Sequence, residues 1–153
     1  MTNKVYVANY DNNTVTVIDG ATHITTTVNT GTNPRSVAIN SVTNKIYVAN
    51  YSSGNVTVID GATNIPTTVG AGTRPNAVAV NSVTNQVYVA NWDSATVTVI
   101  DGATNATTTV NTGTRPNAVD INPVTNKVYV ANENSANVTV ITPQSAWLAP
   151  LVV

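Results

Sequence analysis

Three arginines, three loop aromatics and a few carboxylates are the residues of this chain that could do chemistry. Arg35, Arg74 and Arg115 each stand beside a proline, Pro34, Pro75 and Pro116. A guanidinium offers a planar fork of donors, so three of them around one opening would form a positive collar for an anionic ligand. The first is out of step: it reads Asn33-Pro34-Arg35, where the others read Arg74-Pro75 and Arg115-Pro116. The competing structural reading ties these arginines to a neighbouring loop carbonyl or to Asp11 or Asp93. Tyr10, Tyr51 and Trp92 each follow a Tyr-Val-Ala-Asn quartet, and Glu133 takes that place after the fourth quartet. Loop aromatics beside Asn and Asp suit stacking on a sugar or a base, with packing between neighbouring units as the plainer role. Asp120 stands where the other copies have Ala38 and Ala79. A lone carboxylate there is a weak candidate for a general acid, because acid–base work needs a positioned group of suitable pKa and no partner stands beside it. No catalytic residue, metal ligand set or cofactor is expected. The single histidine, His23, has no second His to share a metal with.

Asp19, Asp60 and Asp101 each precede Gly in an Asp-Gly-Ala-Thr phrase. A ring of carboxylates could hold a cation. The favoured reading is a hairpin turn in which Asp-Gly supplies the positive-φ geometry. Five Asn-x-Ser/Thr triplets, starting at Asn12, Asn50, Asn55, Asn105 and Asn137, are glycosylation acceptors in form. In a chain so rich in Asn and Thr, chance accounts for them.

The elements that must position these residues are set by a repeat. Tyr6, Tyr47, Tyr88 and Tyr129 open the four quartets and lie 41 residues apart. A self-similar period near 40 residues is the mark of a repeat architecture, and each unit is a module with faces it cannot bury alone. Within a unit, short runs such as Val78–Val80, Val87–Val89 and Val97–Ile100 alternate and are rich in Val, Thr and Tyr, which fit a pleated strand. A more polar fourth run is Thr107–Val110, and Asn-, Asp- and Gly-containing turns separate the runs. Four strands with their turns fill about 40 residues, the size of one propeller blade. The fold expected is therefore an all-β propeller of four-stranded antiparallel blades.

In blade order the strands A to D run outward from the central channel. Val5–Ala8, Val15–Ile18 and Thr25–Val28 read as B, C and D of a first blade with no A strand before them. Ser36–Ile39, Ala77–Val80 and Ala118–Ile121 read as the inner strands of the next three. One domain is expected over 1–153, with units 3–43, 44–84, 85–125 and 126–153. The last unit replaces Asp-Gly by Thr142-Pro143, and its tail, 146–153, has no counterpart in the repeat. That tail is expected to be the outer strand of its own blade, with exchange into another chain as the alternative. Just under four blades suit a ring of about eight made by a homodimer, or a small four-bladed ring, since exposed blade faces are seldom tolerated.

Charged residues make up 8% of the chain and the formal net charge is −1. That excludes a nucleic-acid binder driven by clustered Lys and Arg. No apolar run approaches the roughly 18 residues of a spanning helix, so no membrane insertion is expected. Cysteine is absent, which rules out disulfides and thiolate metal sites. The start, MTNKVYVAN, lacks the apolar stretch of a signal peptide, so the chain reads as intracellular or as a mature segment of an exported one.

The Tyr-Val-Ala-Asn quartet, the following Asn-Val-Thr-Val-Ile-Asp-Gly-Ala-Thr and the Arg-Pro-Asn-Ala-Val-Ala-Val-Asn-Ser-Val-Thr-Asn segment resemble the YVTN-type β-propeller repeat family, from Asn3 to Ile141. The resemblance implies a propeller, exported or displayed at the cell surface, that acts as a binding or structural scaffold for a glycan or protein ligand. Its more distant relatives include lactonase-like and lyase-like enzymes, which makes catalysis the alternative. A third reading is an engineered or fragment propeller with no selected ligand. The loop face bearing Tyr10, Tyr51, Trp92, Arg35, Arg74, Arg115, Asp120 and Glu133 is the expected ligand site.

Overall fold

A computed structural model describes residues 3–143. The tail from residue 144 onward, with the expectation placed on it, lies outside the described residues. The described chain is all β, in four antiparallel sheets that follow one another in sequence. Blade I holds β1 (Lys4–Asn9), β2 (Thr14–Asp19) and β3 (Thr25–Asn29). Blade II holds β4 (Pro34–Asn40), β5 (Lys45–Asn50), β6 (Asn55–Asp60) and β7 (Pro66–Gly70). Blade III repeats it with β8 (Pro75–Asn81), β9 (Gln86–Asn91), β10 (Thr96–Asp101) and β11 (Thr107–Asn111). Blade IV holds β12 (Pro116–Ile121), β13 (Val128–Asn132) and β14 (Asn137–Ile141). The register repeats as well: Tyr6 faces Val17, Tyr47 faces Val58, Tyr88 faces Val99 and Tyr129 faces Val140.

The inner strands begin two residues earlier than the sequence pattern suggests. Pro34, Pro75 and Pro116 pair with Asn50, Asn91 and Asn132, and the register then shifts by a bulge before Ser36, Ala77 and Ala118. Proline has no N–H to give to a ladder, so it is confined to strand ends and bulges. Here it is both.

Turn geometry recurs with the period. Positive φ falls at Asn13, Gly54, Ala95 and Ala136 between B and C, and at Asn44, Asn85 and Asn126 between A and B. It falls at His23, Asn64 and Asn105 between C and D. This corrects the role assigned to Asp-Gly. The left-handed residue of the C–D turn is the one three places after the glycine. The Asp60 carboxylate accepts from the Ala62 N–H (2.9 Å), the Thr63 N–H (2.9 Å) and the Thr63 hydroxyl (3.1 Å). The glycine is there for close approach: a Cβ at Gly61 would lie 2.6 Å from the Asn44 carbonyl oxygen. Ala95 carries a side chain at φ 51° where Gly54 has none. The left-handed region costs an L-residue roughly 1–2 kcal/mol, and glycine gives part of that back in unfolded-state entropy. Ala95→Gly should raise stability by about 0.5–1 kcal/mol in urea unfolding.

The core lies between blades rather than inside one. Val15, Val17 and Val28 of blade I pack with Ile46, Val48 and Ile59 of blade II. Tyr47, Val56, Val58 and Val69 pack with Val87, Val89 and Ile100. Tyr88 and Val97 pack with Val128 and Val130. The last residue of each quartet fixes the loops above this core. Asn91 is fully buried, and its amide donates to the Thr96 hydroxyl (3.1 Å) and the Thr98 hydroxyl (2.9 Å). The Thr98 hydroxyl in turn accepts from the Gly72 N–H at 3.3 Å. Gly31 meets Thr57, and Gly113 meets Thr139, in the same way. Each D–A connection is thus fastened to the blade it leads into.

Candidate ligand-binding face

The D–A connections and the B–C loops come together by main-chain bonds that repeat down the arc. Tyr51 N–H donates to the Asn33 carbonyl (2.9 Å), Trp92 N–H to Arg74 (2.9 Å) and Glu133 N–H to Arg115 (2.9 Å). Asn33, Arg74 and Arg115 share φ 55°, so Asn33, and not Arg35, is the structural counterpart of the two later arginines. Their side chains reach back one blade. Arg74 lies over the Tyr51 ring, 5.5 Å from its centroid, and Arg115 lies 5.0 Å over Trp92. Asn33 makes the equivalent backward step with an amide donated to the Tyr10 carbonyl at 3.1 Å.

Arg35 does something different. It occupies the second position of the inner strand, directly after the proline, where the later blades have Asn76 and Asn117, and from there its guanidinium sits 5.0 Å over Tyr51. Tyr51 is therefore contacted by two guanidinium groups, and its ring lies 6.2 Å from Trp92 at a 38° tilt. A cation over an aromatic face contributes about 0.5–1 kcal/mol at exposed sites. The effect is to hold three long side chains in fixed places on the face. Arg74 also pairs with Asp93 at 3.0 Å, the one ion pair among the described residues. Asp93 is one of the partners the structural reading offered that arginine, and among the described residues neither Arg35 nor Arg115 forms an ion pair.

Two hollows adjoin this ladder. One, of about 290 Å³, is lined by Arg35, Asn76, Trp92, Asn117 and Glu133. Asn76 is buried, and its amide donates to the Asn117 carbonyl (2.9 Å) and amide oxygen (2.7 Å). The other, of about 890 Å³, is a groove between blades II and III with Tyr51, Arg74, Ser94, Thr96 and Thr98 among its lining residues. Asn76 and Asn117 carry the inner edge of the site and were not singled out in the sequence. The one available signal was the displaced Arg35, which marks that strand position as facing the opening.

Of the expected residues, Arg35, Trp92 and Glu133 share the smaller hollow, and Tyr51 and Arg74 share the groove. Arg115 joins through Trp92. Tyr10 and Asp120 line neither hollow. Asp120 is exposed, and its carboxylate accepts from the Ile121 N–H at 2.7 Å. Among the described residues, no three of His, Asp and Glu gather closely enough to hold a metal ion. No described helix could cross a membrane.

The perturbed carboxylates lie away from this face, in the C–D turns. Asp19, Asp60 and Asp101 are held below their ordinary value near 3.8, first by the backbone N–H of Thr22, Thr63 and Thr104. A carboxylate whose folded pKa is depressed adds stability above its unfolded pKa and loses it as pH falls through the folded one. The melting temperature should hold from pH 7 to 5 and decline below about pH 4, near the unfolded carboxyl value. Replacing all three by Asn keeps an acceptor oxygen but removes the charge, and should flatten that acid decline.

The arc is similar in fold to solved β-propeller proteins. It matches hydrazine synthase of Kuenenia stuttgartiensis with a TM-score of 0.75 and 20% identity, over 92% of this chain and 46% of that one. It matches the dihydro-heme d1 dehydrogenase NirN, solved in complex with DHE, with a TM-score of 0.74 and 19% identity, over 85% of this chain and 30% of that one. The chain spans less than half the length of either. No family model and no curated protein matches it. Identities this low carry the architecture alone, and the architecture is a β-propeller.

Proposed function

We propose that this chain is a non-catalytic propeller scaffold that binds a carboxylate-bearing glycan on its arginine–aromatic face. The observation that carries the reading is the ladder in which Arg35, Arg74 and Arg115 lie over Tyr51 and Trp92. The ring faces are taken up by guanidinium groups, so simple sugar stacking is a poor use of them. What the ladder offers is cationic forks held in place in advance, which lowers the ordering cost of binding an anion. Beside it, the groove supplies the exposed hydroxyls of Thr107 and Thr109, donors and acceptors suited to a polyhydroxylated chain.

Calorimetric titration with polygalacturonate, against neutral dextran, tests the reading. Binding should be confined to the acidic polymer and weaken with salt. Arg115→Ala should lower affinity about tenfold or more, from the 1.5–3 kcal/mol of a hydrogen bond to a charged group. The polymer should be recovered uncut. Equal binding of dextran, or no binding of either, would overturn the ligand class, and release of new reducing ends would overturn the non-catalytic role.

A further inference from the structure

Every internal seam of the arc is made from the same two half-faces. The leading half is a Tyr and two Val from strands B and C, such as Tyr47, Val56 and Val58. The receiving half, on the next blade, is two apolar residues of B and one of C, such as Val87, Val89 and Ile100. One period on, the next leading half is Tyr129, Val138 and Val140, and the receiving half that would begin the series is Val5, Val7 and Ile18. These are faces the arc leaves open. Val138 and Val140 are 58% and 50% exposed, whereas Val56 and Val97 are 0%. Val5 and Val7 are 53% and 44% exposed, whereas Ile46 and Val48 are 0%. Among the described residues, no apolar cluster joins blade I to blade IV.

Polar latches follow the same rule. Lys4 donates its ammonium to the Gly61 carbonyl (2.7 Å) and the Asn64 amide oxygen (3.2 Å) of blade II, and Lys45 donates to the Gly102 carbonyl (2.5 Å) of blade III. At the third seam, Gln86 replaces the lysine, and Thr142-Pro143 replaces the Asp-Gly it would have reached. Lysine and Gly-bearing turn are thus lost together. Lys127 of blade IV keeps the lysine, and the turn with Gly20 and His23 on blade I keeps the receiving half, both solvent-accessible. A second latch joins the Asn40 amide to Asn85 (2.9 Å) and the Asn81 amide to Asn126 (3.1 Å). Its unused halves are Asn122 and Asn3. The Asn122 amide oxygen accepts from Val124 and Thr125 as the Asn81 oxygen does from Val83 and Thr84, which leaves its amino group to donate.

We infer that blade IV of one copy seats on blade I of a second copy, and that two arcs close on each other through two such head-to-tail seams. The interface continues the internal seams: Tyr129, Val138 and Val140 cover Val5, Val7 and Ile18, Lys127 reaches Gly20 and His23, and Asn122 reaches Asn3. It rests on the blade faces and not on the ligand reading, so either stands without the other.

Light scattering on four samples tests it. Wild type should give twice the mass of one chain. Val138→Glu damages the leading half and Val5→Glu the receiving half, and each alone should give the single-chain mass. Mixed in equal amounts, they should regain the doubled mass, because one seam then joins two undamaged halves. That recovery is peculiar to a head-to-tail contact, since a self-matching interface would stay damaged. Circular dichroism checks that both variants keep their strands. Should either lose them, Lys127→Ala with Asn122→Ala removes the latches without touching the core, and should raise the dimer dissociation constant tenfold or more. A single-chain mass for wild type, an unchanged mass for the glutamate variants, a mixture that recovers nothing, or latch variants that bind as tightly as wild type would each overturn the inference.

Discussion

Tyr47→Ala should cost about 3–5 kcal/mol, the range for deleting a buried aromatic ring, and leave little of the arc folded at 37 °C. Tyr47 is fully buried in the cluster that joins blades II and III. Because the core lies in the seams, the loss should appear in urea unfolding as a transition at much lower denaturant, with loss of cooperativity between the two halves. Burial also pushes the Tyr47 and Tyr88 phenols above their ordinary value, so both rings are neutral packing elements at any physiological pH. Tyr129, the same residue one unit beyond Tyr88, is 39% exposed in the arc. Tyr129→Ala should therefore leave the unfolding of a single arc nearly unchanged. Measured in the single-arc Val138→Glu background, an equal cost at both positions would contradict the placement of the core between blades.

Gly61→Val is the second large effect. A Cβ there would lie 2.6 Å from both the carbonyl and the side-chain oxygen of Asn44. The carbonyl cannot step aside, because it accepts the Gly61 N–H at 2.8 Å. The Gly61 carbonyl is also the anchor for Lys4 of the preceding blade. A side chain at this point must push the C–D turn away from the A–B turn, losing one main-chain bond and one inter-blade latch at once. Overpacking of this kind costs 1–3 kcal/mol and the two bonds add to it, so a loss of about 3 kcal/mol is expected in thermal or urea unfolding. Gly70→Val is the control: nothing lies within 4 Å of a Cβ built there, and stability should change by less than about 0.5 kcal/mol.

Much of the fold was legible because two periods agree. The 41-residue spacing of the tyrosines gives the unit, and the alternation inside each unit gives the strands, since a half-buried strand must alternate. The pattern marks the inner strands two residues late because a proline followed by a bulge breaks that alternation just where the strand starts. The Asp-Gly phrase misleads for a related reason. Asp-Gly is a strong hairpin signal, but here Asp60 caps a longer turn with its carboxylate and the positive φ passes to Asn64. Nothing local distinguishes a glycine needed for its φ from one needed because another turn's carbonyl lies against it.

The candidate face was legible in its parts and not in its arrangement. The recurring arginines and aromatics were visible, and so was the displaced Arg35. Sequence spacing could not show that Arg74 and Arg115 reach back over the aromatic of the preceding blade, because that offset depends on how blades stack. Nor could it show that the displacement carries Arg35 onto the inner strand beside Asn76 and Asn117. Asp120 drew notice as an odd residue, yet it serves only its own strand neighbour. Oddity in a repeat marks a difference between units, and whether the difference faces a hollow is decided by the register.

The seam account is tested most directly by a short thiol crosslinker. The chain has no cysteine, so Asn3→Cys with Asn122→Cys introduces the only two thiols, at the unused halves of the Asn–Asn latch. A homobifunctional maleimide at low protein concentration should convert the chain to a covalent dimer on a denaturing gel, while either single variant stays a monomer. A monomer carrying an internal crosslink would mean that one chain closes on itself, and no crosslink at all would mean that the two end faces never meet.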